Sequence, residues 1–83
     1  MKTQTDEKLL ESMLKESLEK DIIDLLSERT GIARREAMDA YYRSKLSVQI
    51  DSGTYGIQYL DSAYLVDDLL ENERALVDVY SSA

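Results

Sequence analysis

Five apolar side chains recur at every fourth position in the first third of this chain: Leu10, Leu14, Leu18, Ile22 and Leu26. Leu9, Met13, Ile23 and Leu25 fall beside them and widen the stripe. This is the spacing of one face of a helix, sustained well beyond the length of an ordinary strand. No proline occurs anywhere in the 83 residues, and the three glycines, Gly31, Gly53 and Gly56, all lie outside the stripe. The spacing predicts a long helix over about 5–29. Thr5 is the expected N-cap, and Asp6 and Glu7 suit the positive end of the helix dipole. Lys8, Lys15 and Lys20 alternate with Glu11, Glu16 and Glu19 on the face expected to meet water. Pairs of that kind stabilise a helix by roughly 0.2–0.5 kcal/mol each. Gly31 follows Thr30 and can take the left-handed conformation that ends a helix.

The next segments are shorter. Residues 33–44 predict a helix with Ile32 packing back onto it, and with Ala37, Met38, Ala40, Tyr41 and Tyr42 on its buried side. Its start, Ala33-Arg34-Arg35-Glu36, has the Glu of a capping box but places Ala where Ser or Thr would accept a backbone N–H. Leu46, Val48 and Ile50 alternate as in a strand, yet a lone short strand lacks a partner, so a short helix over 45–51 is preferred. Residues 52–61 predict an ordered, tyrosine-rich loop, because Tyr55, Ile57, Tyr59 and Leu60 are too apolar to lie free in water. A last helix over about 62–79 follows, with Asp61 or Ser62 as its cap. Leu65, Leu69, Leu76 and Val79 or Tyr80 form its stripe, with Val66, Leu70 and Val77 beside it. The polar run Glu71-Asn72-Glu73-Arg74 fits that helix poorly and is either an exposed turn or a break into two helices. The expected fold is all-α: one small domain, residues 1–83, built as a bundle of three to four helices.

Composition narrows the function. There is no cysteine and no histidine, so thiolate chemistry is excluded and the commonest general base and metal ligand are missing. The carboxylate pairs Asp67/Glu71 and Glu7/Glu11 have i, i+4 spacing, but spacing alone describes a solvated acidic face as well as it describes a metal site. The serines and threonines have no His or Cys beside them and no G-x-S-x-G setting. Gly53-Thr54-Tyr55-Gly56 lacks the G-K-[ST] of a phosphate loop. The expectation is therefore a protein that is not an enzyme and needs no cofactor or metal. No window is apolar for the roughly 18 residues that a membrane span requires. Residues 1–7 are polar, which points away from a signal peptide and toward a cytoplasmic protein.

The net charge is −7, unevenly spread. Residues 29–46 are basic through Arg29, Arg34, Arg35, Arg43 and Lys45, while both flanking thirds are acidic. An acidic chain is repelled by phosphate backbones and suited to a basic protein partner. The group flanking the second helix, Arg34, Arg35, Arg43 and Lys45, is more simply read as an intramolecular partner of the acidic last helix. All six aromatic residues are tyrosines, 41, 42, 55, 59, 64 and 80. Tyrosine packs at core edges and is also enriched in interface cores.

One pattern resembles a family of small bacterial proteins of unknown function. It consists of Thr30-Gly31-Ile32, Glu36-Ala37-Met38-Asp39, Tyr41-Tyr42 and Ser44, then residues 53–60 (GTYGIQYL), then Tyr64-Leu65 through Asp68-Leu69. The family signature is A-[ML]-D-x-[FY]-Y-x-S, a Y-G-[IL]-Q-Y-like loop and Y-L-x-[DE]-x-[LI], and it covers about residues 30–70. Members are similar to proteins encoded beside a small ADP-ribosyltransferase-like toxin candidate, so the resemblance implies an accessory or antitoxin-like binding role. Ala33 departs from the pattern, where a capping Ser is common, and the first helix lies outside it.

The function expected is thus a non-enzymatic protein-binding module. Tyr55, Tyr59 and Tyr64 would supply contact surface, and Asp67, Asp68 and Glu71 would steer a basic partner. Two alternatives stand beside it. One is a module that self-associates through the first helix. The other is a small nucleic-acid-associated regulator using Arg34, Arg35, Arg43 and Lys45.

Overall fold

The structure, a computed structural model, describes the backbone of residues 2–52, 57 and 60–81 and the side chains of residues 12–52, 57 and 60–80. It is all-helical, with no strand among the described residues. Five α-helices follow one another: α1 (Lys2–Thr30), α2 (Arg34–Arg43), α3 (Lys45–Asp51), α4 (Ser62–Asn72) and α5 (Ala75–Ser81). α1 is the spine. α2 and α4 pack along it, α3 touches both α1 and α2, and α5 lies against α2.

The apolar stripe of α1 is where the core is built. Leu18, Ile22, Ile23 and Leu26 are buried, Leu14 and Leu25 are half-buried, and Met13 is 58% exposed. Among the described residues the buried face of α1 therefore begins at Leu18. Against it lie Ile32, Ala37, Ala40, Tyr41, Leu46, Ile50, Ile57, Leu65, Val66, Leu69 and Val77. Ala37 and Ala40 are fully buried, and these small side chains let α2 approach the spine closely.

The helix ends follow local chemistry. α1 begins at Lys2, so Thr5 lies within the helix and is not its cap. At the other end Gly31 has φ +78°, and its N–H donates to the Ser27 carbonyl at 2.9 Å. The Ser27 hydroxyl donates to the Ile32 carbonyl at 2.7 Å, tying the turn to α1. Ala33 is the N-cap of α2, in extended conformation. Half of the capping box is made: the Ala33 N–H donates to the Glu36 carboxylate at 3.0 Å. The other half is missing, because Ala has no side-chain acceptor.

Three expectations are corrected. The single helix over 62–79 is two helices, α4 and α5, broken at Glu73 (φ −134°, ψ 34°). The break sets Glu73 against α3, where its carboxylate accepts the Lys45 N–H at 3.1 and 3.2 Å. Tyr42, expected on the buried side of α2, is 58% exposed, while Tyr41 is fully buried. Leu60, expected to be covered, and Val79, a candidate for the last stripe, are both exposed, and half-buried Tyr80 takes the place of Val79. Of the loop over 52–61, Ile57 is buried as its apolar character requires. Tyr55 and Tyr59 lie outside the described residues.

Candidate functional site

Two surfaces hold chemistry that the fold leaves unspent. The first is the outer face of α4. Leu65, Val66 and Leu69 turn one side of this helix into the core. Tyr64, Asp67, Asp68 and Glu71, at i, i+3, i+4 and i+7, share the opposite side and all are exposed. Tyr64 is 62% exposed, well beyond what a core-edge ring needs. The structure thus brings four of the six expected contact residues onto one stripe. Their states differ. Asp67 pairs with Arg29 of α1. The Asp68 carboxylate accepts from the Asn72 side chain at 2.9 Å and keeps its charge exposed. Glu71 has no such partner among the described residues. Next to the start of α4, Leu60 is exposed and borders a dent of about 230 Å³ shared with Leu14, Leu18 and Asp21.

The Asp67/Glu71 spacing does not gather a metal site: Asp67 is taken by Arg29. No group of three or more Asp or Glu side chains is placed to hold a metal among the described residues. No helix among them is long and apolar enough to cross a membrane.

The second surface centres on Tyr41, whose role is not evident from spacing. The ring is fully buried, and its hydroxyl donates to Glu19 Oε2 at 2.7 Å. Burial, then the hydrogen bond to the Glu19 carboxylate, push the phenol well above the ordinary tyrosine range. Glu19, expected to be a solvated partner of a lysine, instead turns toward α2. Tyr42 packs edge-on against Tyr41, with ring centroids 5.1 Å apart and planes at 64°, and projects into solvent. Beneath them two buried serines form the joint between α2 and α3. Ser44 Oγ donates to the Tyr41 carbonyl at 2.6 Å and accepts the Ser47 N–H at 3.2 Å. Ser47 Oγ donates to the Ser44 carbonyl at 2.9 Å. A cavity of about 350 Å³ opens here, lined by Glu19, Tyr42, Ser47, Val48 and Asp51.

The basic residues are dispersed. Arg29 reaches the acidic last third, at Asp67 of α4. Arg34 instead pairs with Asp24 of α1 at 2.6 Å, and Arg43 with Asp39 of its own helix at 3.4 Å. Asp39 also accepts the Tyr80 hydroxyl, linking α5 to α2, and this hydrogen bond raises the Tyr80 pKa. Of the group expected to meet the last helix, Arg34 and Arg43 pair elsewhere and Lys45 meets Glu73 through its main-chain N–H; Arg29, outside that group, makes the ion pair to α4.

Comparison with family models, with curated proteins and with solved structures finds no match to this chain.

Proposed function

We propose that this protein is a non-enzymatic protein-binding module that engages a basic partner through the outer face of α4. The observation that carries this reading is the Tyr64, Asp68 and Glu71 stripe: an exposed aromatic ring and two exposed acids on one helix face, none of them needed by the core. An aromatic anchor supplies desolvated contact area, and flanking charge of one sign speeds and orients encounter with a partner of the other sign. The accessory or antitoxin-like role implied by the family resemblance is compatible with such a surface and names one source for the partner, a neighbouring toxin.

The test is affinity capture from the native cell with the full chain. One basic protein should be retained by the wild type and lost by Tyr64→Ala/Asp68→Asn/Glu71→Gln, with circular dichroism unchanged. Equal retention by the variant would reject the α4 face. If the wild type retained no basic protein, the binding role itself would be rejected.

One observation favours a second reading, self-association through α1. Met13 is largely exposed and Leu14 only half-buried, although both belong to the apolar stripe of α1. Sedimentation at micromolar concentration would then show a dimer that Leu14→Glu dissociates. A monomer across that range removes the idea.

A further inference from the structure

We infer that the groove between α1, α2 and α3 receives an arginine side chain from a partner protein. This does not rest on the α4 face, with which it shares no residue.

Among the described residues that line it, the carboxylates are Glu19 and Asp51 and none is a cation. Lys15 donates its amino group to the Asp51 main-chain carbonyl at 3.2 Å and is not a lining residue. The Lys15 ammonium thus stands near Asp51, while the Glu19 carboxylate makes no ion pair among the described residues and leaves its charge on the groove with the Tyr42 ring. Its parts are also held in place. Tyr41, fully buried, fixes Glu19 by the hydrogen bond to Oε2 and fixes Tyr42 by edge-on packing. Glu19 Oε1 has no partner among the described residues, and Tyr42 remains 58% exposed. Val48, 64% exposed, supplies an apolar wall for a methylene stem.

Those three elements select among cations. A guanidinium is planar, so it can stack on the Tyr42 ring while its edge donates to a carboxylate, and it is weakly hydrated enough to enter a half-enclosed groove. An ammonium is a strongly hydrated point charge that gains less from a flat aromatic surface. The volume, about 350 Å³, is at the small end of the range for ligand pockets and holds one side chain rather than a folded segment. Ser47 contributes less, because its hydroxyl proton is given to the Ser44 carbonyl.

The experiment is a titration of the full ¹⁵N-labelled chain with the capped tripeptide acetyl-Gly-Arg-Gly-amide, followed by amide chemical shifts. Saturable shifts should localise to Glu19, Tyr42, Val48 and Asp51, with ~millimolar affinity, as expected for one side chain. The same peptide with citrulline, which keeps the shape and loses the charge, should produce no saturable shift. Tyr42→Ala should weaken binding about fivefold, the loss of one cation–π contact, and Tyr42→Phe should restore it. Glu19→Gln should weaken it too while leaving Tyr41 an acceptor, and Asp51→Asn, at an exposed site, serves as a second charge variant. The inference is overturned if no saturable shift occurs, if citrulline performs equally, if acetyl-Gly-Lys-Gly-amide binds as tightly as the arginine peptide, or if the shifts map to α4.

Discussion

Tyr41 is the residue on which most of the described structure converges. It fills the space between α1 and α2, orients Glu19, supports the exposed Tyr42, and offers its carbonyl to the serine joint. Removing only its hydroxyl leaves the packing intact and takes away the donor to a half-buried carboxylate. Tyr41→Phe should therefore lower unfolding stability by about 1–2 kcal/mol, measured by urea denaturation. The shifted phenol adds a pH signature. Its folded pKa lies above the unfolded value of about 10, so the stability it contributes is complete below pH ~10 and declines as pH rises further. The wild type should lose stability through that alkaline range more steeply than Tyr41→Phe, and parallel curves would count against the Glu19 contact. Sequence alone placed Tyr41 and Tyr42 together on the buried side. Neighbouring residues sit about 100° apart on a helix, so a pair can share a broad buried face, as Leu65 and Val66 do, or divide between core and solvent, as Tyr41 and Tyr42 do, and helical spacing alone does not choose.

At the scale of elements, the ends of helices explain both what was legible and what was not. Gly31 was legible, because a glycine after a long apolar repeat is a local signal and needs no tertiary knowledge. Ala33 was legible as an incomplete cap, and the backbone there, φ −64° and ψ 150°, already suits a serine. Ala33→Ser should complete the capping box with Glu36 and raise stability by about 1 kcal/mol, read as a shift in the urea midpoint. The break between α4 and α5 was only half visible. Its polar run marked a weak helix, but what settles it is the reach of Glu73 to the first N–H of α3, a contact between residues 28 positions apart. Glu73→Ala should cost roughly 0.5–1 kcal/mol, and hydrogen exchange should quicken at the Lys45 amide before it does in α1. The joint at Ser44 and Ser47 gave no sequence signal, since serines of that kind are found equally in exposed turns.

For the molecule as a whole, the division of labour between faces is what matters. Its hydrophobic core is shared by all five helices, and it draws on one side of α4 while leaving Tyr64, Asp68 and Glu71 outward. The periodicity of the last third made this stripe legible, because helical register alone puts those residues together. The groove beside Tyr42 was not legible, since it is assembled from three helices whose approach is set by the core. Ion pairs between helices, such as Arg34 with Asp24, are exposed and contribute only up to about 1 kcal/mol each, so stability should depend weakly on salt while recognition depends on it strongly. The most direct test is the association rate of the captured partner as ionic strength is raised, for the wild type and for Asp68→Asn/Glu71→Gln. We expect the wild-type rate to fall steeply with salt and the variant to associate more slowly with a flatter dependence. Indistinguishable rates and slopes for the two proteins would contradict the assignment of this face to partner recognition.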